Sequence, residues 1–191
     1  MPPPAAGPVG AHPARPLPPV GLRVPTHEDA FAWHRLFADP EVMEFHGGAP
    51  AELSVYEELT ARQRRHDAEF GFCLWTVLDG PGPAAPGAEG DAGVPVGFTG
   101  AQPWPQAWGP RGEIEIGWRL ARPHWGRGLV TAAALATLDR LRAAGVREVV
   151  AMVDARNARS AAVTRRLGMR LAETYTSPVS RREAHCFRLA L

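Results

Sequence analysis

Apolar and polar positions along this chain change period several times, and each change marks an element. Residues 1–19 hold eight prolines and no periodicity. The apolar stretch Val20–Val24 then reads as a short strand stopped by Pro25. Thr26 with Asp29 three residues on resembles a capping box, with Asp in place of Glu. The helix it opens carries Ala30, Trp33, Leu36 and Phe37, spaced i, i+3, i+6, i+7 on one face. Asp39-Pro40 is a second start signal, an N-cap followed by Pro at the first helical position, and Gly47-Gly48 ends that short turn. Leu53, Tyr56 and Leu59 mark a further helix, with Arg62, Arg64, Arg65 and His66 in its last turns, where cations suit the dipole.

The pattern then shortens. Phe72–Leu78 is a compact apolar strand, and Val94–Ala101 a second one, so the two form a hairpin with a flexible, enlarged tip over 80–93. Glu113–Leu120 alternates strictly and reads as a third strand. Residues 128–144 form a helix with Leu135, Leu138 and Leu141 on adjacent turns, closed by Gly145. Glu148–Asp154 is a β-branched strand, Ser160–Leu167 a short helix capped by Gly168, and Leu171–Tyr175 and Cys186–Leu191 the final strands. The order β-α-α-β-β-β-α-β-α-β-β predicts one α/β domain over residues 20–191, a mixed sheet with helices on its faces, behind a disordered Pro-rich tail over 1–19.

Composition narrows the function classes. Of 191 residues, 21 are basic and 20 acidic, a net charge of +1, which argues against a dedicated nucleic-acid binder or a polybasic membrane-surface protein. All 21 basic residues are Arg, which excludes a lysine Schiff base and a P-loop lysine. Cys73 and Cys186 form no disulfide framework, and the seven His show no metal-ligand spacing, so no metal is expected. No apolar run approaches membrane-spanning length, and residues 1–14 lack a basic region followed by an apolar core, so a soluble cytoplasmic protein is expected.

The stretch from 113 to 169 carries the chemistry. After the strand ending at Leu120 comes the loop Ala121-Arg122-Pro123-His124-Trp125-Gly126-Arg127-Gly128, then a helix. Two glycines at a strand-to-helix turn let the backbone approach an anion, and the free N–H groups at the helix start favour phosphate. Leu129 through Leu138 contain no Asp or Glu, so the helix start is left open to an external anion. Neither G-x-G-x-x-G nor G-x-x-x-x-G-K is present. At the next strand-to-helix junction, Asn157 and Ser160 sit three apart, where either caps the helix or meets a ligand at the carboxyl end of the strand.

The runs EIEIGWRLARPHWGRGLVTAAALATL and VVAMVDARNARSAAVTRRLGMRL resemble the GNAT superfamily of acyl-CoA N-acyltransferases. The closer resemblance is to its ribosomal-protein N-acetyltransferase-like branch, with WGKGYATEA and N-x-x-S followed by K-L-G-F. DPEVMEFHGG resembles the same branch. The resemblance implies a GNAT-like fold in which the third central strand and its successor splay apart around the pantetheine arm of acetyl-CoA, the co-substrate. Trp118, Arg119 and Leu120 would lie along that arm. Trp125, Gly126, Arg127, Gly128, Leu129, Val130 and Thr131 would hold the diphosphate, and Asn157 and Ser160 would lie near the thioester.

The implied reaction is direct transfer of an acetyl group to a primary amine, on a small molecule or a protein N-terminus. Glu113 and Glu115, on one strand face, are the candidate bases, with Glu115 preferred as closer to the gap; the bland alternative is a solvated face. A Tyr acts as acid in many relatives, but Thr164 stands in that helix, so Ser160 is the acid candidate. The family helix glutamate is replaced by Ala132, and K-L-G-F reads Arg166-Leu167-Gly168-Met169. His46 lies where relatives build the acceptor pocket, and Trp104 and Trp108 either line that pocket or anchor their loop. Two other readings stand beside this one: a non-catalytic acyl-CoA-binding protein and an α/β nucleotide-binding module. A homodimer is the general expectation.

Overall fold

The computed structural model describes residues 16–80 and 93–191. Of the tail expected over 1–19 and the hairpin tip expected over 80–93, residues 1–15 and 81–92 lie outside the described residues. Seven strands form one sheet in the order β1-β2-β3-β4-β5-β7-β6. They are β1 Val20–Arg23, β2 Leu74–Asp79, β3 Val94–Pro103, β4 Ile114–Leu120, β5 Glu148–Asp154, β6 Arg170–Thr176 and β7 Glu183–Ala190. The helices are α1 Glu28–Leu36, α2 Pro40–Met43, α3 Leu53–Phe70, α4 Leu129–Ala143 and α5 Ala158–Arg166, with a 3-10 turn at Arg122–His124. Every neighbouring pair is antiparallel except β4 with β5. The mixed α/β architecture expected from the sequence is the one observed.

Buried apolar clusters line both faces of the sheet. On one face α1 and α3 press Ala30, Trp33, Phe37 and Tyr56 against Leu74 and Phe98. On the other, Leu138 and Leu141 of α4 and Val163 of α5 pack on Trp75, Ile116 and Val149. Each large side chain so buried contributes about 1.5–3 kcal/mol. Leu135, expected on the apolar stripe of α4, is instead exposed at 36%, one step round the helix from the buried Ala134 and Leu138.

The capping box expected at Thr26 forms only in half: the N-cap of α1 is His27, whose side chain makes no capping hydrogen bond, and Asp29 serves instead as a tie between elements. It is 1% exposed and accepts from the main-chain N–H of Thr26 at 2.8 Å, from Thr76 Oγ1 at 2.8 Å and from both terminal nitrogens of Arg23, joining β1, α1 and β2. Asp39 caps α2 as expected, accepting from the N–H of Glu41 at 2.9 Å with Pro40 at the first helical position. Helix α3 runs further than expected. Asp67–Phe70 continue it to the left-handed Gly71, and Phe70 stacks on Phe72, so Arg62, Arg64, Arg65 and His66 lie in mid-helix. Cys73 and Cys186 are free and buried, and burial pushes both thiols up, Cys186 to about 12.

Gly100 marks the tightest approach within the sheet. Its φ is +155°, and a Cβ there would stand 1.9 Å from the carbonyl oxygen of Cys73 and 2.7 Å from Leu74 Cα. Both obstacles are backbone, so β2 or β3 must move to admit a methyl group. Gly100→Ala is therefore expected to destabilise the fold by about 2–4 kcal/mol, read as a lower urea midpoint at unchanged m-value.

Candidate active site

Strands β4 and β5 share one register pair, Glu115 with Val150, whereas β3 pairs with β4 along its whole length from Ile114 to Leu120. Past Glu115 the two parallel strands diverge toward their carboxyl ends. Main-chain groups on the facing edges are then left to find other partners, since a buried N–H or C=O without one is costly. Trp118 reaches across the opening, donating from Nε1 to Ser160 Oγ of α5 at 3.3 Å.

At the mouth of the gap the chain turns through Trp125-Gly126-Arg127-Gly128 into α4. Gly126 and Gly128 have φ of +72° and +84°, the left-handed region glycine takes without strain. Gly128 is the N-cap, no side chain caps it, and no acid sits in the first turn of α4. The first N–H donors of a 15-residue helix therefore point outward, together with its positive dipole end. These features fit a diphosphate. The Trp125 indole donates to Leu120 O at 2.8 Å, and Arg159 lies over its ring at 4.5 Å. Arg127 is tied to Asp79 at 2.7 Å, which leaves that loop's backbone rather than the Arg127 side chain to meet an anion.

A cavity of about 840 Å³ runs from this loop into the gap. All twelve residues expected to hold the cofactor line it: Trp118, Arg119, Leu120, the run Trp125–Thr131, Asn157 and Ser160. Pro16, Leu17 and Pro18, read from the sequence as tail, also line it, and Pro18 Cδ comes within 3.3 Å of where a Cβ on Gly128 would sit. Asn157 is the N-cap of α5, its Oδ1 accepting from the N–H of Ser160 at 3.0 Å, so it caps and faces the cavity at once.

A second cavity of about 430 Å³ lies on the α1–α3 side of β4. The two share Phe45, His46, Trp118, Arg119, Asn157 and Ser160. Glu115 lines the smaller one, as do Trp104 and Trp108. The tryptophans also anchor their loop: their rings meet edge to face, Trp104 Nε1 donates to Trp108 O, and Trp108 packs on Tyr175.

The two candidate glutamates part company here. They share a strand face, but Glu113 is held by Arg188, which also binds Glu148 at 2.9 Å and Glu173 at 3.0 Å and so clasps β5, β6 and β7 to the start of β4. Glu115 opens onto the cavity with protein on its other sides. Burial pushes its carboxyl up to about 8, while the amide of Gln102, its register partner across the β3–β4 ladder, pulls the other way. His46 moves the other way: burial and the nearby Arg119 guanidinium depress it. Part of its surface still meets solvent, which screens the effect, and the direction leaves the ring neutral at pH 7.

Arg119 extends from β4 beneath α1, over the rings of Phe37 at 5.1 Å and Phe98 at 5.4 Å. Burial lowers its guanidinium to about 10. Sequence reasoning missed this aromatic box, because its rings come from α1 and β3. It also missed the buried Gln63 and Gln102, since a glutamine carries no signal of where its amide will point. Among the described residues no group of three or more His, Cys, Asp or Glu could hold a metal ion.

Comparison with known proteins agrees with this geometry. Residues 20–170 match the family model of the acetyltransferase (GNAT) domain. The uncharacterised protein YkkB of Bacillus subtilis is 30% identical over 142 residues, 73% of this chain and 74% of its own. Among solved structures, an acetyltransferase from Agrobacterium tumefaciens superposes with a TM-score of 0.68 at 23% identity, covering 97% of this chain and 98% of its own. YncA from Salmonella typhimurium, solved with its cofactor acetyl-CoA, superposes with a TM-score of 0.66 at 16% identity, covering 90% and 94%. With its splayed β4 and β5 and its uncapped glycine turn into α4, the chain belongs to the GNAT family of acetyltransferases.

Proposed function

We propose that the chain is an acetyl-CoA-dependent N-acetyltransferase that moves the acetyl group directly to a primary amine, on a small molecule or a protein N-terminus. The carrying observation is the junction of two cavities: one begins at an anion-ready helix start, the other holds a desolvated carboxyl, and both open on Trp118 and Ser160. The sequence resemblance to the ribosomal-protein N-acetyltransferase-like branch supports a protein N-terminus as one acceptor. A cytoplasmic location goes with this reading; among the described residues no helix is long and apolar enough to cross a membrane.

Bound along the gap, acetyl-CoA supplies an activated thioester. The turn Trp125–Thr131 would hold its diphosphate, and Trp118, Arg119 and Leu120 would flank the pantetheine. Glu115 takes the proton of the incoming ammonium. A carboxyl poised near 8 is far better matched to that task than one at 4.5. Free main-chain N–H groups of β4 stabilise the oxyanion as the amine nitrogen bonds to the carbonyl carbon. As the C–S bond breaks, Ser160, whose oxygen accepts from Trp118, would pass its own proton to the departing thiolate while taking up the second proton shed by the amine nitrogen, so that the hydroxyl is restored. Glu113, engaged with Arg188, stays structural.

Gly126 takes φ +72°, which a proline ring cannot. Gly126→Pro is expected to weaken CoA binding at least about 100-fold by calorimetry, a loss of roughly 3 kcal/mol. No heat from wild type with CoA would sink the acetyltransferase reading. Glu115→Ala is expected to keep CoA affinity and to lower kcat about 10²–10⁴-fold in a thiol-release assay with an amine panel. Unchanged turnover at every pH would remove Glu115 as the base.

The same carboxyl marks stability without any substrate. Its folded pKa lies above its ordinary 4.5, so between about pH 4.5 and 8 the folded state holds a proton that the unfolded state has lost. Stability from this group is full below that window and falls as pH rises through it. Glu115→Gln is therefore expected to match wild type near pH 4 and to exceed it at pH 9 by about 2–4 kcal/mol in denaturant unfolding.

A further inference from the structure

The acetyl-transfer reading needs Glu115 to ionise in a site whose burial resists ionisation. Two glutamines outside the cofactor cavity bear on this. Gln63 of α3 is 0% exposed and Gln102 of β3 is 8% exposed. Both occupy positions where apolar side chains are the norm, and a buried amide is tolerated only when its donors and acceptors are matched.

The bonds fix which way each amide faces. The main-chain N–H of Leu74 can only donate, and it donates to Gln63 Oε1 at 2.9 Å. Gln63 therefore presents its NH2 at the other end, and Nε2 donates to Gln102 Oε1 at 3.0 Å. That leaves the NH2 of Gln102 as its free end. Gln102 stands directly across the β3–β4 ladder from Glu115, on the same face of the sheet. A backbone donor in β2 thus sets, through two side chains, the polarity presented to a carboxyl in β4.

We propose that Gln63 and Gln102 are positioning residues for Glu115: a relay anchored on the Leu74 N–H that locks a hydrogen-bond donor, and not an acceptor, against its carboxyl. The relay rests on the acetyl-transfer reading for its catalytic use, not for its existence. A donor favours the carboxylate; the reversed amide would place Oε1 there and favour the neutral acid. Other charged or titratable groups around this cavity are His46 beyond α2, Arg62 of α3, Arg119 of β4, Asp154 of β5, and Arg182 and Glu183 where β7 begins. Glu113 and Arg188 form an ion pair at the near end of the strand.

The test reads the carboxyl directly, by 13C NMR titration of protein labelled at glutamate, with the Glu115 resonance assigned by its loss in Glu115→Gln. Gln102→Met is expected to raise its midpoint by about one pH unit, and Gln63→Met to raise it in the same direction. The double variant should equal Gln102→Met alone, because Gln63 has no other route to Glu115. In parallel, kcat/KM at pH 7 falls about tenfold in each single variant and recovers at alkaline pH, while CoA affinity holds. A Glu115 midpoint that stays put in either folded single variant, or additive effects in the double variant, would overturn the relay. Should the methionine variants not fold, wild type decides: the Gln102 side-chain NH2 resonances must titrate with Glu115 and lose that step in Glu115→Gln, and a flat response rejects the proposal. A relay confirmed by NMR in a protein that acetylates no amine would leave the relay standing and sink the reading on which its catalytic use rests.

Discussion

Parallel neighbours in a sheet normally zip along their length, because each backbone N–H and C=O withdrawn from water needs a partner. Between β4 and β5 the ladder stops after Glu115 and Val150. Beyond that pair, main-chain groups of β4 no longer pair with β5, and the helix start at Gly128 and the Glu115 carboxyl line two adjoining cavities that share Trp118 and Ser160. Had the strands remained paired to Leu120, the gap would be closed and the glycine turn would face an ordinary sheet edge.

Keeping such a sheet open requires restraint elsewhere. Arg188 supplies it at the closed end, where one guanidinium binds carboxylates from three other segments of the sheet. Asp29 does a comparable job at the opposite edge, gathering β1, α1 and β2. Between these anchors β3 and β4 stay in unbroken register, which makes β4 a rigid rail on which Glu115, Gly117 and Arg119 face one side and Ile116 and Trp118 the other. Strict alternation, not loop placement, sets the spacing of the chemistry.

Local patterns made most of this legible. Strict alternation from Glu113 to Leu120 gave β4 and put both glutamates on one face, and the two glycines around Arg127 marked the uncapped helix start. What the sequence could not convey was set by distant partners. Nothing near Glu113 announces Arg188, 75 residues later, and nothing near Glu115 announces the Gln63 amide. Helix α3 ran past its expected end because Asp67–Phe70 are compatible with helix and the true stop, Gly71, needed a packing partner in Phe72 to be decisive. Leu135 met solvent because helical spacing defines a stripe but not its edges.

The burial of Cys73 and Cys186 has a practical side. Only a thiolate attacks a disulfide reagent, and both sulfurs are sealed in the fold with their ionisation pushed far above neutrality. A chromogenic disulfide added to the native protein would meet no competing nucleophile from these two residues, so in an assay of the proposed acetyl transfer rapid colour would come from liberated coenzyme. Any slow colour that develops without substrate times the opening of the sheet itself, turning two silent side chains into a clock for unfolding.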